Sequence, residues 1–503
     1  MSEVLPDGWS SVALSECVLP VPSLDPGARP DDPFIYCDIS SIDNETGSVV
    51  KPKQLIGRDA PSRARQAVRP GDVLFSTVRP GLRAIARVPD VENPVASTGF
   101  CVLRPASGLD GSYLFQLVRS ERFLQQILPM QRGVSYPAVR DADVLSQSIP
   151  MPPAAEQTRI VARLEELLSD LDAGVAELKA AQKKLAQYRQ SLLKAAVEGA
   201  LTADWRAKNT PTETGAQLLQ RILSERRARW EAKQLAKFKE QGKAPPKDWQ
   251  KRYPEPVQPD TSGLPELPEG WVWASVDQLS TVVRGASPRP AGDPRFFGGD
   301  IPWITVGSLT ADASMYLNSV SQFVTKAGRD ASRHVDPGTL LLTNSGATLG
   351  VPKITKIGGC INDGSVALLD VNEVLKIYLY WYLRTQTMIL RATNQGAAQP
   401  NLNTDIVKRI CVPVCPRIEM SRINDSLDAQ IDAIDALRQC IAVNLKQSTA
   451  QRQNILRAAF AGQLVPQDPN DEPASMLLER IRVSRSELGA GRVRRAARKR
   501  ARP

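Results

Sequence analysis

The sequence has 503 residues, of which 42% are hydrophobic, so it is long enough for three or four domains and too apolar to be disordered throughout. Its 64 basic and 54 acidic residues give a net charge of +10 at pH 7, but residues 489–503 alone contribute +7. The overall charge therefore does not make the body of the protein a nucleic-acid binder, although local basic clusters can do so.

The sequence has no run of eighteen apolar residues, and its first residues lack the basic region and apolar stretch of a secretory signal. Seven cysteines, an odd number, are not typical of a disulfide framework in a chain of this length. We therefore expect a cytoplasmic protein that neither spans a membrane nor is secreted.

The sequence contains an internal repeat: several segments recur about 260 residues later in the chain. The matching pairs are Leu5–Trp9 with Leu267–Trp271, Pro70–Leu74 with Pro337–Leu341, Gly133–Pro137 with Gly396–Pro400, Arg189–Ala196 with Arg452–Ala459, and Leu218–Ile222 with Leu477–Ile481. One structural design is therefore expected twice.

The first part of each half, residues 1–154 and 266–417, is rich in glycine, proline and short β-branched runs. This texture predicts mixed α/β domains with many turns, each with one clear helix near its end, at 113–127 and 377–392. The fold class expected is α+β: two mixed α/β domains with pseudo-twofold symmetry, separated by two long antiparallel coiled-coil helices.

Each domain is followed by a segment with a heptad repeat, residues 155–201 and 418–465. A sustained heptad predicts a coiled-coil helix, and 44 residues of helix span about 66 Å. Equal lengths and matched heptads favour pairing of the two helices with each other over packing of each helix on its own domain. The predicted seam consists of Leu164, Leu171, Leu178, Leu185, Leu192, Leu427, Ile434, Ile441 and Ile455.

Residues 202–265 predict a basic, Pro-rich linker with one helix at 217–240, and residues 201–252 hold 13 basic and 6 acidic residues. This pattern fits either a solvated helix and extended linker or a nucleic-acid contact. Residues 466–503 form a C-terminal segment with a basic tail. We expect that tail to be disordered and to add sequence-independent affinity for DNA.

No motif for catalysis, a cofactor or a metal is found. The phosphate-binding G-x-x-x-x-G-K-[ST] and the dinucleotide-binding G-x-G-x-x-G are both missing, and His334 is the single histidine. Cys411 and Cys415 have no second pair nearby, which indicates buried cysteines rather than zinc ligands. We therefore expect a binding protein with no catalytic residue, no metal site and no cofactor of its own.

Basic residues cluster from Lys51 to Arg87, where the net charge is +7 in a domain that totals −2. Such segregation suits contact with a nucleic-acid duplex, and the alternative is an ordinary solvated face. The first-domain candidates, from this cluster, the loop after the 72–75 strand and the Gly-x-x-x-Pro turn, are Arg63, Arg65, Ser76, Thr77, Arg79, Arg83, Arg132, Ser135, Tyr136 and Arg140.

The second domain has no equal basic cluster, and its candidates are polar side chains at the corresponding positions. They are Thr343, Asn344, Ser345, Thr348, Gln395, Gln399, Asn401 and Asn403. Asn and Gln can pair with the edge of adenine, but the same residue types also cap helices and stabilise turns. The residues alone leave both interpretations open.

With these motifs in order and duplicated, the sequence resembles the specificity subunit of type I restriction-modification systems over nearly its whole length. The segments that carry the resemblance are Leu267–Trp271, Gly396–Leu402, Ile149–Val161 and Leu193–Ala196 with Gly199. The chain departs from the pattern at Gly133–Pro137, where Gln-Pro-Asn-Leu is typical, and at Cys415–Met420.

The resemblance implies two target-recognition domains, each of which reads one half of a bipartite DNA target, and two helices that space them. It also implies double-stranded DNA and two methyltransferase subunits as partners, with S-adenosylmethionine bound by those subunits, and an endonuclease/translocase subunit that can join. The chain would direct adenine methylation or restriction by its partners without catalysing either.

Two other classes of function compete with this interpretation. A fused restriction-modification enzyme or a nuclease would need cofactor or metal motifs that the sequence lacks. A coiled-coil scaffold with no role on DNA leaves the Lys51–Arg87 cluster and the duplication of the domains without explanation.

Overall fold

The computed structural model describes residues 5–393 and 402–486 and divides into two compact units. Unit 1 comprises the chain up to Ala180 and from Ile441 onward, and unit 2 comprises Ala181–Cys440. Each unit contains one sheet-rich domain together with a part of two long helices, which confirms the expected fold class. The basic tail, residues 489–503, lies outside the described residues.

Domain 1, in unit 1, is built from short strands and four helices among its described residues. The strands are β1 (Ser10–Ala13), β2 (Val18–Leu19), β3 (Pro33–Cys37), β4 (Ile42–Asp43), β5 (Ser48–Val49), β6 (Lys53–Ile56), β7 (Ala64–Ala67), β8 (Val73–Ser76), β9 (Ile85–Arg87), β10 (Pro94–Ser97), β11 (Phe100–Pro105) and β12 (Ser148–Met151). The helices are α1 (Leu14–Cys17), α2 (Gly111–Arg119), α3 (Glu121–Ile127) and α4 (Asp141–Leu145).

Three helices follow domain 1, and domain 2 comes after them. The three are α5 (Ala154–Val197), α6 (Ala203–Lys208) and α7 (Gly215–Glu240). The strands of domain 2 are β13 (Val272–Ser275), β14 (Thr281–Arg284), β15 (Phe297–Ile304), β16 (Tyr316–Leu317), β17 (Phe323–Val324), β18 (Arg333–Val335), β19 (Leu340–Thr343), β20 (Pro352–Thr355), β21 (Gly359–Ile361), β22 (Ser365–Leu369) and β23 (Cys411–Val414).

The helices of domain 2 and of the C-terminal region complete the described chain. They are α8 (Val276–Leu279), α9 (Val306–Leu309), α10 (Lys326–Asp330), α11 (Glu373–Thr393), α12 (Thr404–Arg409), α13 (Arg417–Phe460) and a helical stretch at residues 474–486. None of the helices that the structure describes is both long and apolar enough to cross a membrane.

The two domains have the same strand order. The larger sheet of domain 1 runs β2-β11-β8-β9-β5-β4, and that of domain 2 runs β14-β22-β19-β20-β16, so β4 is the one strand without a counterpart among the described residues. The smaller sheets, β6-β3-β10-β7 and β17-β15-β21-β18, also correspond strand by strand. The repeat in the sequence is therefore a repeat of topology, including regions where the two sequences no longer match.

The strands at the centre of the larger sheets carry the apolar runs of the sequence. All four residues of β8 and all four of β19 are buried, and each strand is hydrogen-bonded to a neighbour on both sides. A strand covered on both faces needs no polar alternation. These apolar runs therefore form the buried central strands of the larger sheet in each domain.

The helix predicted at 113–127 is two helices. Ser120 ends α2 and begins α3, where its hydroxyl oxygen accepts a hydrogen bond from the Phe123 N–H at 3.3 Å. A serine at this position satisfies a backbone donor that a continuous helix would bond internally. The prediction of one helix was wrong here, whereas α11 in domain 2 is continuous.

The two long helices are antiparallel where they meet. In unit 1, Arg452 of α13 forms an ion pair with Asp172 of α5. In unit 2, Arg189 of α5 bonds Asp435 of α13 at 2.5 Å. Residue numbers therefore rise along one helix as they fall along the other, which confirms the predicted antiparallel pairing.

The predicted seam is buried near both ends of α5 and half-buried in its middle, whereas in α13 it is buried up to Ile441 and half-buried at Ile455. Leu164, Leu192, Leu427, Ile434 and Ile441 are buried, whereas Leu171, Leu178, Leu185 and Ile455 are half-buried. Leu164 lies in the core of unit 1, and Leu192 and Leu427 lie in the core of unit 2. Both packing modes that the sequence left open occur: the helix ends pack on a domain, and the helices pair with each other.

The segment after each long helix is folded onto a domain. In unit 2, the Gly215 N–H donates to the Gly270 carbonyl at 2.7 Å, and Leu218, Leu219 and Ile222 of α7 are buried. The 474–486 helix repeats this in unit 1, where the Ala474 N–H donates to the Gly8 carbonyl at 2.8 Å. The first part of the predicted linker is thus a structural part of domain 2.

Candidate DNA-recognition surface

The loop that follows β8 in domain 1 has a strained backbone. Arg79 and Arg83 both adopt left-handed conformations, with φ angles of 48° and 58°, on either side of a 3-10 turn at Pro80–Leu82. For a residue with a side chain this conformation costs about 1–2 kcal/mol. Backbone strain of this kind is concentrated at ligand-binding sites and active sites, so two such residues in one short loop make the loop a candidate binding site.

A small hairpin lies against this loop. Arg132 and Ala138 exchange backbone hydrogen bonds of 2.9 Å, and the Arg79 N–H donates to the Pro137 carbonyl at 2.7 Å. The guanidinium of Arg79 lies 4.8 Å from the centre of the Tyr136 ring and donates to the Ser135 carbonyl at 3.1 Å. We call the loop 79–83 and the hairpin 132–138 together the recognition surface of domain 1.

The recognition surface of domain 1 combines charge with exposed apolar groups. Val134 is fully exposed, Tyr136 is 73% exposed and Leu82 is 58% exposed, while Arg79 is also exposed. A single large apolar residue on a surface needs no explanation, but three in two adjoining turns beside an arginine form a patch. Arginine can bond the edge of guanine through two donors, and apolar groups can contact the methyl group of thymine.

The other basic candidates of domain 1 differ in how strongly they are already bound. Arg65 pairs with Asp25 at 2.5 Å, Arg83 pairs with Glu121, and Arg132 lies 3.5 Å from Asp143. Arg63 and Arg140 are exposed and form no ion pair with the described residues. Arg63, Arg79 and Arg140 are therefore the candidates whose guanidinium groups are least committed within the protein.

The basic cluster from Lys51 to Arg87 is partly neutralised. Lys53 bonds Asp38 at 2.6 Å and Arg58 pairs with Asp31, in addition to the pairs of Arg65 and Arg83. The hydrogen bond from Lys53 holds the pKa of the Asp38 carboxyl below its usual value, against the opposing effect of burial. The net charge of this cluster therefore overstates the positive charge that it presents to a ligand.

Ser76 and Thr77 were predicted as DNA contacts, but the structure places both side chains in the interior. The Ser76 hydroxyl donates to the Val78 carbonyl at 2.8 Å, and the Thr77 hydroxyl donates to the Gly99 carbonyl at 2.9 Å. In this conformation both hydroxyl groups bond backbone carbonyls inside the domain and do not reach the surface of the loop.

The side chains of Thr343 and Asn344 in domain 2 also lie in the interior. Both are fully buried; the Thr343 hydroxyl donates to the Thr348 carbonyl at 2.6 Å, and the Asn344 amide donates to the Asp363 carbonyl at 3.3 Å. Ser345 and Thr348 are half-buried. Of the two interpretations that the sequence left open, turn chemistry describes the side chains of Thr343 and Asn344 as they stand here.

Three of the predicted DNA contacts of domain 2 lie outside the residues that the structure describes. Gln395, Gln399 and Asn401 fall in residues 394–401, outside the described residues. The Leu402 N–H donates to the Asn344 carbonyl at 2.7 Å, as the Val139 N–H donates to the Thr77 carbonyl in domain 1 at 2.9 Å. The chain therefore rejoins each domain at the same position beside the same loop.

Asn403 has a structural role in the described region. Its side-chain oxygen accepts a hydrogen bond from the Ile406 N–H at 2.8 Å and so caps α12. Since Asn is a preferred N-cap residue, this bond satisfies a helix donor without any ligand.

Domain 2 has a cavity of about 710 Å³ that no motif of the sequence indicates. Asp363 lies at its edge and bonds the Ser287 hydroxyl at 2.6 Å, while Arg289 lies 3.3 Å from the same carboxylate. Trp303 and Phe297 form an apolar wall with an edge-to-face contact. The residues come from three separate loops and strands, so no local motif could have signalled the site.

The structure describes no cluster of three or more side chains suited to hold a metal ion. Cys415 is buried, and burial raises the pKa of its thiol well above the usual value, while Cys411 is half-buried. Both cysteines were predicted to be buried, and the structure shows this for Cys415, whereas Cys411 is only half-buried.

Comparison with known proteins identifies the family. The model of the type I restriction modification DNA specificity domain matches residues 67–180 and 268–445, more than half of the chain. The specificity subunit of the type I restriction enzyme HindI from Haemophilus influenzae is 23% identical over 399 residues, 75% of this chain and 80% of that protein. The EcoDI specificity subunit of Escherichia coli is 23% identical over 397 residues, 76% of this chain and 78% of that protein.

Solved structures show the same likeness. The crystal structure of the HsdS subunit from Thermoanaerobacter tengcongensis is 28% identical, with a TM-score of 0.55 over 91% of this chain and 98% of that one. A chain solved in work on complex assembly and conformational transition of the type I R-M system is also 28% identical, with a TM-score of 0.69 over 92% and 99%. The chain belongs to the family of type I restriction-modification DNA specificity subunits.

Proposed function

We propose that this chain reads a bipartite double-stranded DNA target, one half with each domain, and directs adenine methylation or restriction by partner subunits. One observation carries the proposal: both domains have the same strand order, but the side chains in the loop after the central strand, β8 or β19, differ. Domain 1 has Arg79 there, packed on Tyr136, and domain 2 has Ser345 and Thr348. A common scaffold with different surface residues is suited to reading two different sequences.

The chemistry of the two surfaces supports different half-sites. Arg79 is held by the Tyr136 ring and has donors left to bond guanine, so a guanine contact is expected in the first half-site. Ser and Thr hydroxyls can bond any base, and the half-site read by domain 2 is therefore less restricted by residue type.

We further propose two methyltransferase subunits as partners, which would carry S-adenosylmethionine, and an endonuclease/translocase subunit in the complex that cleaves DNA. The names of the relatives support this, since specificity subunits are components of type I restriction enzymes.

The proposal is tested by co-expressing the chain with a candidate methyltransferase subunit and mapping N6-methyladenine across the host DNA. We expect methylation at a motif of two short specified sequences with unspecified bases between them. A continuous motif would contradict the bipartite reading. Methylation or cleavage by the purified chain alone, given S-adenosylmethionine or Mg²⁺, would instead show that the chain is itself an enzyme.

A further inference from the structure

Residues 226–253 form a compact hook that includes the second half of α7 and the chain that returns along it. The rings of Trp230 and Trp249 stack with their centroids 5.8 Å apart, and Tyr253 contacts Trp230 edge-on at 5.4 Å. Phe238 closes the far end against Trp249 at 6.1 Å. The hook therefore has an aromatic core of its own and is not an extended linker.

Both ends of the hook are fixed to domain 2. On one side, Leu219 and Ile222 of α7 are buried in the core of unit 2. On the other side, the Val257 N–H donates to the Asp277 carboxylate at 3.0 Å, and the Ser275 hydroxyl donates to the Val257 carbonyl at 2.5 Å. Charges on the hook are thus held in fixed positions relative to the domain.

The hook is strongly basic on the outside. It contains ten basic and three acidic residues. Arg226, Arg227 and Lys251 have carboxylate partners. The remaining basic residues are exposed and have no carboxylate within 4.0 Å among the residues that the structure describes; they are Arg229, Lys233, Lys237, Lys239, Lys243, Lys247 and Arg252.

We propose that the hook binds the phosphate backbone of duplex DNA and adds affinity without reading sequence, an inference that rests on the proposed function. Lys233 and Lys237 lie one turn apart on the same side of α7, so they form a ridge of charge. Lysine-rich surfaces are characteristic of phosphate contacts, whereas the centres of protein interfaces are poor in lysine. Leu235 is the single large hydrophobic side chain of the hook that lies exposed.

The repeat in the sequence supports the same role. Residues 218–222 of α7 match 477–481, and in each copy a basic stretch follows the match. In the first copy this stretch is the hook, and in the second it is the run of seven basic residues in 489–503. A basic extension in both copies is expected if each half of the protein contacts the backbone beside its half-site.

The test uses the complex of this chain with its methyltransferase subunit and measures binding of a fluorescent duplex over a range of salt concentrations. The variant K233Q/K237Q/K243Q/K247Q is compared with K233R/K237R/K243R/K247R, in which the charges are retained. The slope of log K against log salt is negative, and each lost phosphate contact makes it less steep by about 0.9. We expect a slope less steep by about 3 to 4 for the glutamine variant and an unchanged slope for the arginine variant.

The expected loss of affinity is the same for a duplex with the methylated motif and for a scrambled duplex, and the methylated motif stays the same. An unchanged slope in the glutamine variant would overturn the inference. So would loss of the methyltransferase subunit on purification, since the hook would then be a protein interface. If the wild-type complex failed to bind either duplex, the proposed function itself would be wrong.

Discussion

At the residue scale, the internal repeat places two buried glutamates at equivalent positions with different partners. Glu156 accepts a hydrogen bond from the Trp9 indole N–H at 2.9 Å, and its second oxygen is buried without a partner. Glu419 accepts the matching bond from Trp271 at 3.0 Å, and its second oxygen is bonded by the Thr202 hydroxyl at 2.7 Å and by Arg206 at 2.5 Å. Burial raises the pKa of Glu156 above its usual value.

This difference predicts opposite effects of the same substitution. Because the folded state favours the protonated form of Glu156, its contribution to stability is complete below the ordinary pKa of 4.5 and is lost as the pH rises through the raised value. E156Q, which stays uncharged, should therefore raise the unfolding temperature near pH 7 and have little effect near pH 4. E419Q should cost about 2 kcal/mol near pH 7, since it breaks charge-assisted bonds.

Thermal unfolding of both variants across this pH range is the measurement. Equal behaviour of E156Q and E419Q would show that the missing partner of Glu156 has no energetic consequence.

The strained loop of domain 1 gives a second prediction at this scale. Glycine adopts a left-handed conformation without the energetic cost that Arg79 bears. R79G should therefore leave the free energy of unfolding unchanged or raise it by up to about 1 kcal/mol. The same variant removes the proposed guanine contact. The complex should then accept other bases at one position of the first half-site, and its binding to the original target should weaken by about 1–3 kcal/mol. Unfolding and a methylation map of the co-expressed complex measure the two effects separately. N93G is the control, because Asn93 is also left-handed, with a φ of 48°, and lies outside the recognition surface.

The sequence did not predict which polar side chains at the strand ends are buried. Ser76, Thr77, Thr343 and Asn344 follow apolar strands, and the sequence alone does not show whether a polar residue at a strand end turns inward or outward. Thr77 and Asn344 donate to carbonyls on other segments, those of Gly99 and Asp363, whereas Ser76 and Thr343 donate to carbonyls within their own loops. The candidates Arg79 and Tyr136 lie in turns with glycine or proline and are exposed, and their contact with DNA stays a prediction.

At the scale of elements, the long helices were the most predictable part of the fold. A heptad is a local pattern, so their length follows from the sequence alone, and the repeat of the heptad in both halves indicated that they pair. The hook was missed because its core joins Trp230 and Phe238 of a helix to Trp249 and Tyr253 of a Pro-rich return, at spacings with no period.

The antiparallel pairing makes a quantitative prediction for the spacer. Since Asp172 faces Arg452, removal of residues 172–178 from α5 should be matched by removal of the facing residues 446–452 from α13. Seven residues of helix are about 10 Å, or about three base pairs of DNA at 3.4 Å each. We expect the unspecified spacer of the methylated motif to shorten by about three base pairs.

The matched control removes residues 172–178 alone, which puts the remaining pairs out of register and should abolish assembly with the methyltransferase subunit. A spacer that stays the same length after the double deletion, with both half-sites still recognised, would show that the helices do not set the distance. Replacement of the half-buried Leu171 and Leu178 by Asp should likewise abolish folding or assembly.

At the scale of the whole molecule, the duplication predicts that specificity is modular. Residues 266–417 begin just before β13 and end at the start of α13, and β13 pairs with β23 in antiparallel register, so both ends of the domain meet in one small sheet. Exchange of these residues for the equivalent domain of a relative should leave domain 1 intact. Methylation maps should then show one half of the motif changed and the other half unchanged. A change in both halves would mean that the domains do not read DNA independently, and the two-site proposal would fail even if methylation itself survived.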